Sequence, residues 1–312
     1  MIRLGVDLGG TKIEIVALDP EGRELLRNRI PTPRDDYRAI LSAVVGLVHA
    51  AEQTLGLEGT VGIGLPGAVS RKSGYIKNSN TPVLNARPVS KDLRSVLGRE
   101  IRLSNDADCF TLSEAVDGAA VGAKIVFGVI LGTGVGGGIV VGGKLLSGPN
   151  SIAGEWGHNP LPWLKESDYP LPDCYCGHAG CIETYLSGPG FSALHQASHG
   201  RAMTAAELIA ASQTGDGAAR ISLEQYEHRL ARALAHVINI IDPDVIVLGG
   251  GLSNCRRLYE KVPRIWGEFV FSDQVDTLLV PPLHGDSSGV RGAAWLWDSA
   301  WVCENTRAMV RQ

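Results

Sequence analysis

Two glycine-rich turns, each lying between strand-like segments, constrain the fold of this chain most. Leu8-Gly9-Gly10-Thr11 and Leu131-Gly132-Thr133-Gly134 hold the same place in two similar stretches of sequence. In each stretch an alternating or apolar segment predicts a β-strand before the turn, and a second strand follows it. Because a pattern repeated within one chain indicates repeated structural units, the sequence predicts two related α/β domains.

The predicted elements follow this division into two halves. In the first half they are strands at 2–8, 12–18 and 24–30, a helix at 39–55, a strand at 60–65, a helix at 91–97, a strand at 101–103 and a helix at 108–120. In the second half they are strands at 125–131, 139–141 and 144–146, a cysteine-rich loop at 155–190, a helix at 223–241, a strand at 245–248 and a terminal helix after 287. The predicted domains are residues 1–117, completed by a C-terminal helix at 290–312, and residues 118–289, which carry the cysteine-rich loop.

Charge and hydropathy argue against two classes of partner. The 312 residues carry a net charge of −4 and no basic cluster, so nucleic-acid binding is not expected. No apolar stretch is long enough to cross a membrane, and no signal-peptide pattern follows Met1. We therefore expect a cytoplasmic protein without a membrane partner.

The glycine turns are candidate phosphate sites. Asp7 ends the first strand beside Gly9-Gly10, whose missing side chains let backbone N–H groups approach an anion. Thr11 and Lys12 add a hydroxyl and a positive charge. Residues 132–138, read as one turn with five glycines, repeat the arrangement, and two such turns suit a bound polyphosphate. Neither turn is a Walker loop or a dinucleotide fingerprint, and the alternative is a pair of ordinary glycine hairpins.

A third glycine cluster and a carboxylate complete this group of candidates. Gly249-Gly250-Gly251 ends a predicted strand and suits packing against a nucleoside, with a plain strand-to-helix turn as the alternative. Ser104-Asn105-Asp106-Ala107 places a carboxylate where an apolar run ends and a helix begins. Taken alone, Asp106 reads as a helix cap, because Asp caps helices more often than it carries out chemistry.

The cysteine-rich loop indicates a metal site. Cys174, Cys176 and Cys181 lie within a few residues of one another, and three thiolates with one imidazole form the closed tetrahedral set of a structural zinc site. His158 and His178 compete for the fourth position, and metal-free thiols are the alternative to any metal. If His158 binds the metal, Glu155 and Glu183 are fixed nearby, where their carboxylates can accept hydrogen bonds from sugar hydroxyls. The alternative for both is a surface carboxylate.

Taken together and in this order, the motifs resemble the ROK family of bacterial sugar kinases and repressors. They are Asp7-x-Gly-Gly-Thr-Lys12, Asn105-Asp106-Ala107, Gly132-Thr133-Gly134, Glu155-x-Gly-His158 and Cys174-x-Cys-Gly-x-x-Gly-Cys181-x-Glu183. The resemblance implies the actin-like ATPase (ribonuclease H-like) fold, with ATP in a cleft between the two domains and Asp106 as general base. It also implies sugar contacts at Asn105, Glu155, His158, Glu183, Gly67 and Asn80, and a zinc quartet of His158, Cys174, Cys176 and Cys181.

Within the family, segments 31–37, 154–163 and 284–292 look similar to the fructokinase or manno(fructo)kinase branch. The prediction is transfer of the γ-phosphoryl of Mg-ATP to the 6-hydroxyl of fructose, with mannose as a further acceptor and Asp7 orienting a water on Mg²⁺. The alternatives are a glucokinase or an N-acetyl-hexosamine kinase and, more remotely, a sugar sensor or repressor. The first strand begins at residue 2, so we expect no helix-turn-helix ahead of it. Homodimers are common in the family, and the sequence leaves the oligomeric state open.

Overall fold

The structure is a computed structural model that describes residues 1–79 and 81–297. By its contacts the chain divides into two compact units. The first unit comprises Met1–Gly118, Ser147–Ile152 and the described residues from Asp286 onwards, and the second comprises Ala119–Leu146 and Ala153–Gly285. No helix among the described residues is both long enough and apolar enough to cross a bilayer.

The first unit is a five-stranded mixed sheet with helices. Its elements are β1 (Ile2–Leu8), β2 (Lys12–Leu18), β3 (Glu24–Pro31), α1 (Tyr37–Leu55), β4 (Gly59–Leu65), β5 (Ala68–Val69), β6 (Ile76–Lys77), α2 (Val89–Leu97), β7 (Ile101–Asn105) and α3 (Asp106–Val116). The sheet order is β3-β2-β1-β4-β7, in which β1 to β3 are antiparallel and β1, β4 and β7 are parallel. The short strands β5 and β6 form a separate ribbon.

Helix α1 shows how local sequence sets the bounds of an element. Asp36 accepts hydrogen bonds from the backbone N–H groups of Arg38 and Ala39, and Gly56 ends the helix in the left-handed conformation with φ 64°. Between them the apolar side chains recur at helical spacing and are buried against the sheet. They are Ile40, Leu41, Val44, Leu47, Val48 and Ala51.

The second unit repeats this sheet topology. Its elements are β8 (Ile125–Leu131), β9 (Val135–Val141), β10 (Lys144–Leu145), α4 (Ile182–Leu186), α5 (Gly188–His199), α6 (Ala205–Gln213), α7 (Gly217–Ile241), β11 (Val245–Gly249), α8 (Arg257–Ile265) and β12 (Leu278–Val280). The sheet order is β10-β9-β8-β11-β12, again with an antiparallel trio followed by parallel pairs. The predicted fold of two related α/β domains is therefore confirmed.

The last described helix, α9 (Ser288–Trp295), packs on the sheet of the first unit at backbone distance. A side-chain carbon at Gly5 would overlap the carbonyl oxygen of Val290, and one at Gly62 would overlap the carbonyl oxygen of Ala293. Both strand positions therefore need glycine, because the helix backbone occupies the volume of a side chain.

The structure corrects several of the predicted element bounds. β9 begins at Val135 and not at 139, so the second glycine turn covers residues 132–134 and the glycines at 136–138 lie in a strand. α3 begins at Asp106, and α7 begins at Gly217 because Asp216 caps it. Of the predicted C-terminal helix at 290–312, residues 298–312 lie outside the described residues.

Close packing explains Gly137 in β9. A side-chain carbon at Gly137 would lie 2.8 Å from the carbonyl oxygen of Gly154 and 2.8 Å from the ring of Trp156. Sequence periodicity does not report this approach, because a glycine in a strand and a glycine in a turn look the same in sequence.

Candidate active site

Three candidate residues lie at one edge of the first sheet. Asp7 is near the end of β1, Gly67 follows β4, and Asn105 ends β7. These strands are parallel neighbours, so their carboxyl ends meet at the same edge. Ligands of open α/β sheets bind at this edge.

Asp106 is the first residue of α3, and it is Asn105 that caps the helix. The Asn105 side-chain oxygen accepts a hydrogen bond of 2.6 Å from the backbone N–H of Asp108. Asp106 Oδ1 accepts one of 2.9 Å from the N–H of Ala107. Desolvation by the surrounding protein raises the pKa of Asp106, and its backbone hydrogen bonds lower it by less. The interpretation of Asp106 as a helix cap is therefore corrected, because Asn105 holds the capping position.

Asp7 lies close enough to Asp106 to feel its charge. Burial, and then the negative charge of Asp106, raise the pKa of Asp7 to about 6. Lys12 and Arg29 lower it by less. Two carboxyl groups that each resist ionisation form a site that favours a cation or a proton.

The first glycine turn is closed by one backbone hydrogen bond and one side-chain hydrogen bond. Gly9 N–H donates to the carbonyl of Lys12 at 3.0 Å, and the hydroxyl of Thr32 donates to the carbonyl of Gly9 at 2.7 Å. Thr11 is exposed in the turn. The Lys12 ammonium lies 3.4 Å from the buried carboxylate of Glu14, so its positive charge is partly neutralised within the turn.

Gly67 adopts a left-handed backbone conformation with φ 89°, and a side-chain carbon there would lie 2.5 Å from the carbonyl oxygen of Lys77. Glycine is required at this position by backbone packing alone. Asn80, another predicted sugar contact, lies outside the described residues.

The second unit places two glycine clusters at the carboxyl edge of its sheet. The turn at 132–134 follows β8, and its Gly132 carbonyl accepts a hydrogen bond of 2.8 Å from the N–H of Gly188. Gly250 follows the neighbouring parallel strand β11 with φ 78°, and a side-chain carbon there would overlap the backbone of Leu131. The two clusters are therefore brought together, as expected for a site that holds one nucleotide.

The four predicted zinc ligands converge. The ligand atoms of His158, Cys174, Cys176 and Cys181 all lie within 4.8 Å of one another. The Cys174 sulfur is 3.6 Å from His158 Nδ1, and the sulfurs of Cys176 and Cys181 are 3.6 Å apart. Tetrahedral bonds of about 2.0 to 2.3 Å give edges of roughly this length, so the donor set fits zinc.

Tyr175 was not among the predicted site residues. It contacts the His158 ring nitrogen that does not face Cys174. Its hydroxyl lies 3.0 Å from His158 Nε2, and the two rings meet edge to face. The Tyr175 side chain is exposed. Its position between Cys174 and Cys176 is the sequence feature that could have identified it.

The two carboxylates of this loop have different surroundings. Glu155 is exposed. Glu183 is half-buried in the first turn of α4, and its Oε2 accepts a hydrogen bond of 2.9 Å from the backbone N–H of Val135. Glu183 is therefore held by the strand that leaves the second glycine turn.

A buried ion cluster secures this loop to α7. The carboxylate of Asp168 meets Arg229 at 2.9 Å and Arg232 at 2.8 Å, and all three side chains are buried. Arg232 also donates to the carbonyl of Trp163. The sequence carried no signal for this cluster, because its partners are far apart along the chain.

Two sheets of the same topology, each with a glycine turn after its first strand, define a protein of the actin-like ATPase class. The profile of the ROK family matches residues 3–300, so the chain belongs to the ROK family. A hexokinase of this family from Thermus thermophilus has a similar structure, with a TM-score of 0.86, 30% identity and coverage of 97% of this chain and 100% of the other.

Other relatives are sugar kinases as well. N-acetyl-D-glucosamine kinase of Photobacterium profundum is 43% identical over 296 residues, which cover 94% of this chain and 98% of that protein. The enzyme of the same name from Vibrio cholerae is 42% identical over 296 residues, with the same coverage of 94% and 98%. A Streptomyces griseus glucokinase solved with glucose and AMPPNP has a TM-score of 0.74, 26% identity and coverage of 95% and 99%. The coarser prediction of an ATP-dependent ROK sugar kinase is confirmed, and the relatives favour the N-acetyl-hexosamine alternative over fructose.

Proposed function

We propose that this protein transfers the γ-phosphoryl group of Mg-ATP to the 6-hydroxyl of N-acetyl-D-glucosamine. The observation that carries the chemistry is the carboxyl of Asp106, at the carboxyl end of a parallel strand and beside Asp7. Phosphoryl transfer needs little covalent help, so the protein has to position the reactants, neutralise charge and remove one proton.

Asp106 is the proposed general base. Desolvation raises the pKa of Asp106, which makes its carboxylate a stronger base towards the hydroxyl proton. The Asp106 carboxylate accepts the proton of the sugar hydroxyl as the oxygen attacks phosphorus.

The glycine turns and Asp7 are the proposed phosphate and magnesium elements. Backbone N–H groups of the turns at 9–12 and 132–134 approach phosphate oxygens without side-chain hindrance, and Gly249-Gly250-Gly251 leaves room for the nucleoside. Asp7 would orient a water bound to Mg²⁺. When bound, Mg²⁺ neutralises the charge of the transferring phosphoryl group.

The loop around the cysteines is the proposed sugar site. Glu155, His158 and Glu183 supply acceptors for sugar hydroxyls. Asn105 and Gly67 are further proposed sugar contacts. The zinc proposed for His158, Cys174, Cys176 and Cys181 would hold this loop in shape and leave no position open for a water.

The choice of sugar rests on the relatives of 42% and 43% identity, which are named N-acetyl-D-glucosamine kinases. A coupled assay of ADP release tests it with N-acetyl-D-glucosamine, N-acetyl-D-mannosamine, glucose, fructose and mannose. We expect the highest kcat/KM with N-acetyl-D-glucosamine. A preference for fructose would restore the interpretation from sequence, and no sugar-dependent ADP release with any of the five would reject the kinase.

A further inference from the structure

The first residues of strand β9 contact residues 154–158 of the proposed sugar-binding loop. The indole Nε1 of Trp156 donates to the carbonyl of Gly136 at 3.0 Å. A side-chain carbon at Gly157 would overlap the carbonyl oxygen of Val135. Residues 154–158 therefore lie directly on the backbone of the strand that leaves the glycine turn.

Glu183 is joined to the same place. Its Oε2 accepts the hydrogen bond of 2.9 Å from the Val135 N–H. A side-chain carbon added to Gly134 would lie 2.7 Å from this oxygen and 3.6 Å from the carboxyl carbon. The carboxylate thus occupies the space that any other residue at 134 would fill, and real Cβ atoms essentially never come this close to a neighbour.

The turn itself is fixed independently. Gly132 N–H donates to the carbonyl of Gly134 at 3.0 Å, and the Gly132 carbonyl accepts from Gly188 at 2.8 Å. The hydrogen bond from Gly188 in α5 holds the turn in place. The clash of a methyl group added at position 134 is therefore relieved most easily by movement of the half-buried Glu183 side chain. In wild type the Val135 N–H holds this side chain, and a hydrogen bond to a charged acceptor is stronger than one to a neutral acceptor.

We propose that Gly134 is a positioning residue for the sugar-binding carboxylate Glu183, so that the turn assigned to nucleotide phosphates also sets the affinity for sugar. The inference rests on the proposed function, since it takes Glu183 as a sugar ligand. With no side chain at 134, Oε2 is bound by the Val135 amide and the carboxylate presents its other oxygen to a sugar hydroxyl.

Calorimetric titration of N-acetyl-D-glucosamine, without nucleotide, tests the proposal in wild type, Gly134→Ala, Glu183→Ala and the double variant. Loss of a hydrogen bond to a charged group costs about tenfold or more in affinity, so we expect G134A to weaken binding by roughly this factor. In the E183A background the same glycine change should alter binding less than about twofold, because the carboxylate it displaces is gone.

In turnover, G134A should raise the KM for sugar by a larger factor than it lowers kcat at saturating sugar. Gly217→Ala is the matched control, because an added methyl there meets no atom within 4 Å. If G134A does not fold, judged by its thermal midpoint, Glu183→Asp replaces it. This change keeps the charge, withdraws the carboxylate from the Val135 amide and should also weaken sugar binding.

Two outcomes are distinguishable. A wild-type protein that binds none of the five sugars rejects the proposed function, and this inference with it. A wild type that binds sugar while G134A binds it equally well, or an additive effect of the two changes, overturns only the role of Gly134.

Discussion

The negative charge of Asp106 raises the pKa of Asp7, and only burial raises it more. The two carboxyl groups lie at the ends of parallel strands that neighbour β4 on either side. Their mutual repulsion is a cost of folding that a bound cation or a proton relieves.

This cost should be visible as a pH dependence of stability. Between the ordinary pKa of 3.8 and about 6, the folded state binds more protons at Asp7 than the unfolded state does. The contribution of Asp7 to the free energy of unfolding therefore falls as pH rises through this window and stays low above it. Asp7→Asn removes the effect, so the variant should be more stable than wild type at pH 7.5, by at most about 3 kcal/mol, and equal to it near pH 4.

Urea denaturation in magnesium-free buffer across this range measures the difference. Asp35→Asn, at an exposed position, is the control and should differ from wild type by a constant amount. If the free energies of unfolding of wild type and D7N changed in parallel with pH, the raised pKa of Asp7 would be contradicted.

Asp106→Asn should reduce turnover while leaving the sugar bound. Removing a general base lowers kcat by roughly 10²- to 10⁴-fold, while the neutral amide keeps the size of the side chain. We expect the dissociation constant for sugar, measured by calorimetry, to change less than about threefold. Asp108→Asn is the control. The Asp108 carboxylate lies in the same helical turn and accepts a hydrogen bond from Ser104, and this variant should retain most of the turnover. Near-normal turnover in D106N would remove Asp106 from the mechanism.

The cysteine loop should bind one zinc. Metal analysis of purified protein is expected to find about one zinc per chain, and Cys174→Ser should lose it together with thermal stability of the loop. Cys255→Ala alters a buried thiol outside the cluster and should keep the metal. Full activity in a zinc-free protein would rule out the structural role.

The Asp168 cluster should contribute strongly to stability. Asp168→Asn leaves the buried guanidinium groups of Arg229 and Arg232 without their carboxylate, which costs about 3 to 5 kcal/mol. Chemical denaturation should show this loss, whereas Glu224→Gln, at an exposed acid, should change stability by less than about 1 kcal/mol. A small effect of D168N would mean that backbone carbonyls alone satisfy the two arginines.

Two glycine-to-alanine replacements should change stability in opposite directions, one through close backbone packing and the other through helix propensity. Gly62→Ala forces a methyl into the carbonyl of Ala293, so we expect destabilisation of about 1 to 3 kcal/mol or more. Gly46→Ala in α1 meets no atom within 4 Å and should stabilise the protein by roughly 0.5 to 1 kcal/mol. Thermal unfolding of both variants measures the contrast, and equal shifts would argue against the packing of α9 seen here.

The sequence by itself determined the class of fold and the family. The period-two segments, the helical spacing of α1 and the repeated glycine turns are local signals, because each arises from backbone geometry over a few residues. The motif Cys174-x-Cys-Gly-x-x-Gly-Cys181 named three of four clustered ligands for the same reason: they lie close together along the chain.

Only the tertiary structure decided what each signal is for. It placed the glycines at 136–138 in β9 and joined Glu183 to the Val135 amide. It also raised the pKa of Asp7 through Asp106. These features depend on atoms that are distant in sequence and meet only after the sheets have formed, and a pattern of neighbouring residues carries no information about such contacts.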